Sequence, residues 1–221
     1  MHITIRKALF MTHTTSLSYI RSLFAKESDE LQRIRANTVG QNNGIYIYPE
    51  EGKLLQLIIK MNQIKTIVEI GTLSGYSATW MAEALPKDGK IYTFEHDEKR
   101  YQMAKDNITN PKIELIKGNA LNTLPSIENK APFDMIFIDA NKNGYHNYLS
   151  WAEKNIRKGG IIVADNTLLF DTVWNDNTGE KVSKAAIESM REFNLRLGNT
   201  EKYTSILLPT EQGFSIAIKE F

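Results

Sequence analysis

Two aspartates and an asparagine follow apolar segments that have the length of buried strands. Asp139 closes the segment Met135–Asp139, and Asp165 closes Gly160–Asp165 with Asn166 beside it. Because neighbouring parallel strands end at one edge of a sheet, we expect these side chains to converge there. Two carboxylates and an amide are hard oxygen ligands that suit Mg²⁺, Mn²⁺ or Ca²⁺. The competing interpretation is that each aspartate only caps a helix after its strand.

A second group of residues surrounds a glycine turn. The segment Thr66–Ser77 joins an apolar run to a helical pattern through Gly71 and Gly75, and its Ser and Thr residues are candidate helix caps. The spacing does not match G-x-G-x-x-G, and no Lys-Ser/Thr pair follows as in a P-loop. The segment therefore predicts either a plain turn or a site for a nucleoside without a pyrophosphate.

Two glutamates at strand ends indicate which nucleoside this would be. Glu69 ends the first strand pattern, and Glu95 lies where a carboxylate can accept hydrogen bonds from ribose hydroxyls. Two acidic strand ends repel an anionic cofactor and suit a cationic one. S-adenosylmethionine carries a sulfonium and an ammonium group, so this comparison favours it over NAD.

The elements that position these residues alternate between strand and helix. We predict strands at Thr66–Ile70, Ile91–Glu95, Ile113–Ile116, Met135–Asp139, Gly160–Asp165, Ser205–Leu208 and Phe214–Ile218. Helical patterns lie between them, including Tyr101–Ile108, Tyr145–Ile156 and Ala185–Leu197. Such alternation predicts a doubly wound, mostly parallel α/β sheet. The short connection between the last two strands predicts a hairpin, which makes one edge strand antiparallel.

The chain before the first strand has a helical pattern. Apolar residues at helical spacing predict two short helices between Ser16 and Arg35, and Pro49 starts a further helix. The polar stretch 37–44 between them is predicted to be a loop. We expect one domain over residues 1–221, with an N-terminal helical extension at 1–62 and an α/β core at 63–221.

The composition limits the class of protein. The chain has 221 residues, a net charge of +1 and no cysteine, which excludes disulfides, thiolate metal sites and a cysteine nucleophile. The charge gives no general attraction for nucleic acid. No apolar run approaches ~18 residues and no signal peptide is evident, so we expect a cytoplasmic protein without a membrane partner.

Several of these segments resemble known motifs as a set. The segments VEIGTLSGYS, IYTFEHD, FDMIFIDANK, GGIIVADNTLLF and LLPTEQGFSIAIKEF resemble successive motifs of class I S-adenosylmethionine-dependent O-methyltransferases. The resemblance is to the cation-dependent group of caffeoyl-CoA and catechol O-methyltransferases, and it runs from about residue 43 to the C-terminus. It implies a Rossmann-like fold.

The resemblance also implies site residues. It marks as cofactor-binding positions Ile47, Glu69, Gly71, Thr72, Ser77, Glu95, His96, Ala120 and Asp139. It places the metal on Asp139, Asp165 and Asn166, and makes Lys142 the base that takes the proton of the substrate hydroxyl. A bound cation would lower the pKa of that hydroxyl and of Lys142. The family also implies a homodimer. Taken alone, His96 is equally well a solvent-facing loop residue and Lys142 a surface lysine.

One residue departs from the family pattern, and the pattern does not assign a role to three aromatic residues. Asn141 stands where the family often has aspartate, which leaves the metal ligands in place and changes the charge beside them. Tyr145, Phe170 and Trp174 are candidates to stack on an aromatic acceptor, although aromatic residues near strand ends are more often part of a core.

Three functions follow as hypotheses. The first is a divalent-cation-dependent O-methyltransferase acting on a small aromatic vicinal diol, either catechol-like or hydroxycinnamoyl. The second is methylation of a hydroxylated tRNA base such as 5-hydroxyuridine, which would need a basic groove that the sequence does not show. The third is a non-catalytic sensor of S-adenosylmethionine, against which the intact set Lys142, Asp165 and Asn166 argues.

Overall fold

The computed structural model describes residues 15–42, 46–175 and 182–221. The helices of eight or more residues are α1 Ser16–Leu23, α2 Asp29–Asn42, α3 Pro49–Met61, α4 Tyr76–Ala84, α5 Glu98–Asn107, α7 Tyr145–Asn155 and α8 Lys184–Leu197. A short α6, Ala120–Thr123, continues into a 3₁₀ helix at Leu124–Lys130, and a second 3₁₀ turn is Lys142–Gly144. The strands are β1 Thr66–Ile70, β2 Lys90–Glu95, β3 Ile113–Lys117, β4 Phe133–Ile138, β5 Ile156–Asp165, β6 Tyr203–Leu208 and β7 Phe214–Lys219.

The seven strands form one sheet in the order β3-β2-β1-β4-β5-β7-β6. Strands β1 to β5 pair in parallel, whereas β7 is antiparallel both to β5 and to the edge strand β6. The predicted mostly parallel sheet with antiparallel pairing at one edge is therefore confirmed. The reversed strand itself, β7, lies one position inside the edge.

The sheet is buried on both faces because its apolar residues alternate between two cores. In β4, Met135 and Phe137 pack into one core, and Ile136 and Ile138 pack into the other. This period of two is what a parallel strand between two helical layers requires. The continuous apolar segments of the sequence are thus explained by helices on both sides.

Two helices, α1 and α2, begin within the described residues 15–35, as predicted, but the second is longer than expected. Leu31 and Ile34 of α2 are fully buried against one face of the sheet. The predicted loop at 37–44 is wrong for residues 37–42, which continue α2. The buried side of the helix continues as far as Thr38, whose hydroxyl donates to the Ile34 carbonyl. Packing here overrides the polar composition.

No helix within the described part of the chain is long and apolar enough to cross a membrane.

Candidate active site

A cleft of about 400 Å³ opens at the carboxyl ends of β1, β2 and β4. It lies where the chain order of the parallel strands reverses, between β1 and β4, which is the usual ligand position in an open α/β sheet. The predicted residues that line it are Ile47, Gly71, Thr72, Ser77, Glu95, His96, Ala120, Asp139, Lys142 and Asn166. Two predicted residues, Glu69 and Asp165, are buried and do not line the cleft.

The glycine turn has a backbone that requires glycine at two positions. Gly71 has φ +105, and a Cβ added there would lie 2.0 Å from the carbonyl oxygen of Asp139. Gly75 has φ +84 and is the N-cap of α4, without a capping side chain. The expectation of a Ser or Thr cap was wrong, because the left-handed conformation that turns the chain into α4 favours glycine at this position.

Glu95 is a buried carboxylate whose oxygens bind the turn. Its Oε2 accepts a hydrogen bond from the backbone N–H of Leu73 at 2.9 Å, and its Oε1 accepts from the N–H groups of His96 and Asp97, each at 2.9 Å. One carboxylate thus joins the end of β2 to the glycine turn. Each oxygen has about two acceptor positions, so Oε2 keeps one for a ligand hydroxyl.

Glu69 sits beneath the turn in a chain of side-chain hydrogen bonds. It accepts from the hydroxyls of Ser77 and Thr93, both at 2.5 Å, and Thr93 contacts the hydroxyl of Thr72 at 2.6 Å. Complete burial raises the pKa of Glu69 to about 8, and the charges of Asp139 and Glu95 add to this. Sequence reasoning did not find Thr93, a single polar residue within an apolar strand.

Asp139 and Asp165 are brought side by side by the register of their strands, in which Ile138 of β4 pairs with Ala164 of β5. Asp165 is almost completely buried. Burial, followed by the negative charge of Asp139, raises the pKa of Asp165. Asn166, with φ +60 in the left-handed region that asparagine tolerates, donates its N–H to Asp165 Oδ1 at 2.6 Å.

Lys142 forms an ion pair with one member of the acidic pair, Asp139. Its Nζ lies 2.9 Å from Asp139 Oδ1 and 2.9 Å from the Tyr145 hydroxyl. Burial lowers the pKa of Lys142, but the adjacent Asp139 carboxylate and Tyr145 outweigh burial, so the pKa is raised. This direction is opposite to the predicted one, which depended on the charge of a bound cation.

A third carboxylate near this pair was missed. Glu51, in the first turn of α3, is 5% exposed, and burial raises its pKa, with Asp139 contributing. The signal was present in the Glu50-Glu51 pair, but acidic residues in a first helical turn are ordinary capping residues. Glu51 indeed accepts from the N–H of Tyr48 at 2.8 Å.

The acidic residues fit the chemistry of a hard cation. Among residues 15–42, 46–175 and 182–221, no group of three or more His, Cys, Asp or Glu side chains could hold a metal ion. The predicted set contains two such side chains and takes its third donor from an amide. Asp139 and Asp165 raise the local negative charge, and a divalent cation would offset it. Asp139, Asp165 and Asn166 are therefore suitable ligands by type.

The backbone after Asn166 is held in an unusual conformation. Leu169, Phe170 and Asp171 all have φ between 48 and 61. Such residues store strain and often accompany functional sites. Phe170 is 58% exposed and Trp174 is 69% exposed, so the core does not confine either ring.

Tyr145 is not free in this way. The side chain is fully buried, and its hydroxyl lies 2.8 Å from the Asp165 carbonyl oxygen, to which it donates. The idea that Tyr145 stacks on an acceptor ring is wrong, because Tyr145 holds the ends of β4 and β5 together. Further cleft residues that sequence reasoning did not find include Tyr46, Arg100 and Tyr148. They lie on helices and a loop with no motif to mark them.

The strand order and the position of the cleft define a Rossmann-like protein with a ligand cleft at the point where the strand order reverses. The O-methyltransferase family model matches residues 21–220. Catechol O-methyltransferase of Niastella koreensis is 39% identical over 198 residues, covering 86% of this chain and 87% of that protein. Caffeoyl-CoA O-methyltransferase of Populus kitakamiensis is 31% identical over 165 residues, which is 70% of each chain. The O-methyltransferase of Bacillus cereus, solved with S-adenosylhomocysteine, superposes with a TM-score of 0.82 at 31% identity, covering 91% of this chain and 96% of that one.

The chain therefore belongs to the O-methyltransferase family. It is an enzyme that uses S-adenosylmethionine, as the glycine turn and the two strand-end glutamates predict.

Proposed function

We propose that this enzyme methylates a hydroxyl of a small aromatic vicinal diol, either catechol-like or hydroxycinnamoyl, with the help of a divalent cation. The observation that carries the proposal is the contact between the two halves of the site. The Asp139 N–H donates to the Ile70 carbonyl at 2.9 Å. Asp139, the first residue of the acidic pair, therefore lies beside the end of β1, where the glycine turn starts. A methyl donor at the turn and an acceptor at Asp139 would be neighbours.

The cofactor end of the cleft uses backbone and buried carboxylates. Glu95 offers an acceptor position to ribose hydroxyls, and Gly71 allows close approach to the backbone. The exposed His96 ring and Ala120 line the same cleft and would flank an adenine. Ser77 lines the cleft although its hydroxyl donates to Glu69. A ligand carboxylate would therefore meet its backbone N–H at the start of α4.

The acceptor end of the cleft has two carboxylates, an amide and an amine. When bound, S-adenosylmethionine supplies the methyl group, and a divalent cation supplies positive charge that favours the ionised diol. Asp139, Asp165 and Asn166 would hold the cation through oxygen atoms. Lys142 Nζ would take the hydroxyl proton after losing its own, which requires weakening its ion pair with Asp139. Positioning of the acceptor beside the donor accounts for much of the remaining rate.

An assay with a chelator tests the proposal. The enzyme is incubated with S-adenosylmethionine and either catechol, caffeoyl-CoA or hydroxyuridine-containing tRNA, with Mg²⁺ or with EDTA. We expect methylated diol with Mg²⁺ and none with EDTA. Full activity in EDTA would refute the cation, and methylation of the tRNA alone would refute the diol.

Two alternatives are weaker on physical grounds. The carboxylates Glu51, Asp139 and Asp165 at the acceptor end would repel a phosphate backbone, which gives the tRNA reading no support. A sensor would bind S-adenosylmethionine and turn over no diol in the same assay. A homodimer and a cytoplasmic location remain predictions, and sedimentation at several concentrations tests the first.

A further inference from the structure

The N-terminal extension contacts the cofactor turn through three residues at the end of α5. We name Asn107–Thr109 the bridge segment. On one side Arg33 Nη2 donates to the Asn107 carbonyl at 2.7 Å, and Asn37 Nδ2 donates to Asn107 Oδ1 at 2.9 Å. On the other side Asn107 Nδ2 donates to the carbonyl of Ser74 at 3.1 Å. A side chain that is 2% exposed thus joins α2 to the glycine turn.

The orientation of the Asn107 amide is determined by its partners. Arg33 Nη1 also approaches Asn107 Oδ1, at 3.4 Å. A guanidinium only donates, so the amide oxygen must face α2 and the amide NH₂ must face Ser74. If α2 did not supply these donors, the amide could rotate and present its oxygen to the Ser74 carbonyl, with loss of that hydrogen bond.

The other two residues of the bridge segment make contacts on the same two sides. A Cβ added to Gly75 would lie 2.6 Å from Ile108 Cγ1, so Ile108 packs directly on the turn. The Thr109 hydroxyl donates to Glu30 of α2 at 2.5 Å. Consecutive residues therefore contact the turn and the extension, which makes the link more than a single hydrogen bond.

The turn needs this support because part of it is strained. Leu73 has φ +51, a conformation that is unfavourable for a non-glycine residue and persists only where neighbours hold it. The N–H of Leu73 is held by Glu95, and the next carbonyl, that of Ser74, is held by Asn107. Leu73 and Ser74 both line the cofactor cleft. Releasing one support would let the cleft wall relax.

We propose that Asn107 is a positioning residue for the S-adenosylmethionine site and that α2, through Arg33 and Asn37, sets its orientation. The inference rests on the use of S-adenosylmethionine by this enzyme and does not depend on the acceptor or the cation. Asn107 itself does not line the cleft, so its effect passes through the Ser74 carbonyl. The N-terminal extension thereby acquires a role in cofactor affinity.

Three variants separate the two sides of the link. Asn107→Asp keeps oxygens for Arg33 and Asn37 but faces the Ser74 carbonyl with an acceptor. Arg33→Met with Asn37→Ala changes only exposed residues and leaves Asn107 intact. Lys105→Met removes an exposed cation from the same helix as Asn107 and is the control. The probe is S-adenosylhomocysteine, with its Kd measured by calorimetry, and kcat is measured at saturating S-adenosylmethionine.

We expect the Kd to rise about tenfold in Asn107→Asp and about fivefold in the double variant, as for lost hydrogen bonds to buried groups. The kcat should stay within about twofold, because the acceptor end is not touched, and Lys105→Met should match the wild type. Adding Arg33→Met and Asn37→Ala to Asn107→Asp should raise the Kd little further, since both act on one path.

Several results would contradict the proposal. An unchanged Kd in the folded double variant overturns the role of α2. Equal losses of kcat and affinity, or fully additive effects, indicate general destabilisation and refute a positioning role. If Asn107→Asp does not fold, the double variant, whose changes lie at exposed positions, still tests whether α2 affects cofactor affinity. Failure of the wild type to bind S-adenosylhomocysteine would instead contradict the cofactor assignment itself.

Discussion

The two ends of the cleft differ in the groups that stabilise their carboxylates. At the cofactor end, Glu95 accepts three backbone N–H bonds and Glu69 accepts two hydroxyl bonds. At the acceptor end, Asp139 and Asp165 stand close together, and the side chain that compensates them is one ammonium, Lys142. At the cofactor end, the groups that stabilise the carboxylates are neutral hydrogen-bond donors. At the acceptor end, the stabilising group is itself charged.

This difference separates what is preorganised from what must change during the reaction. Neutral donors in fixed positions preorganise the cofactor end for its ligand. An ammonium bound to a carboxylate can exchange its partner when a cation or an ionised acceptor arrives. Substitutions at the cofactor end should therefore alter affinity, and substitutions at the acceptor end should alter rate.

The largest expected effect is on rate. Lys142→Met should lower kcat for a catechol by about 10² to 10⁴, the range for loss of a general base. The Kd for S-adenosylhomocysteine should stay within about threefold, because Lys142 contacts Asp139 and Tyr145 and not the glycine turn. Pre-steady-state methyl transfer and calorimetry measure the two quantities.

The exposed Lys99 on α5, changed to Met, is the matched control for Lys142→Met. If Lys142→Met weakened the cofactor as strongly as it slowed the reaction, the separation of the two ends would be wrong. If it left kcat unchanged, the proposed base would have to be another group.

The second effect is a pH dependence of stability that comes from Glu69. The pKa of this carboxyl is about 8 in the folded protein against an ordinary 4.5, mainly because of burial. Between these values the folded state holds more protons than the unfolded state, so stability falls as pH rises. The slope is at most about 1.4 kcal/mol for each pH unit. Urea unfolding between pH 5 and 8 with EDTA present measures it.

Glu69→Gln is the variant that tests this slope. An amide at position 69 has no proton to lose, so the fall in stability over this pH range should become smaller. Glu51 and Asp165 also have raised pKa values and keep part of the slope. An equal slope in wild type and variant would show that Glu69 titrates normally.

The cofactor end was predictable because its chemistry lies in one local pattern. The strand, the two glycines and Glu95 occur in β1, the turn and β2, and parallel strand pairing places them together. The placement of Asp139, Asp165 and Asn166 at one edge of the sheet was predictable for the same reason, since the ends of paired parallel strands converge. Thr93 was missed because a threonine inside a strand has no pattern of its own.

Other residues could not be found because they depend on long-range packing. Asn107 is 33 residues from Ser74 and 74 residues from Arg33. Such contacts follow from the docking of α2 on the sheet, which apolar spacing indicates only in outline. The length of α2 was misjudged for the same reason, since polar residues continue the helix where one side remains buried.

A smaller effect should follow a change at the cofactor end. Glu95→Gln replaces one acceptor oxygen with an NH₂ group that faces backbone N–H donors. The Kd for S-adenosylmethionine should rise about tenfold, in line with an unpaired buried donor, while kcat at saturation changes little. Isothermal calorimetry checks the affinity, and the exposed Glu98→Gln, which removes the charge paired with Lys117, is the control. A loss confined to kcat would contradict the assignment of Glu95 to the cofactor end.

The smallest expected effect concerns the aromatic residues beyond Asn166. Phe170 is exposed and makes a backbone hydrogen bond to the Gln212 side chain at 3.0 Å, so its ring is available without supporting the core. Phe170→Ala should raise KM for an aromatic diol about threefold, with no change in the melting temperature or in cofactor affinity, because stacking on one ring contributes about 0.5–1.5 kcal/mol. Trp174→Ala tests the neighbouring ring, and Leu195→Ala, an exposed apolar residue on α8, is the control. A lower melting temperature in Phe170→Ala would show instead that this ring stabilises the strained loop, and that the acceptor end is more rigid than its exposed side chains indicate.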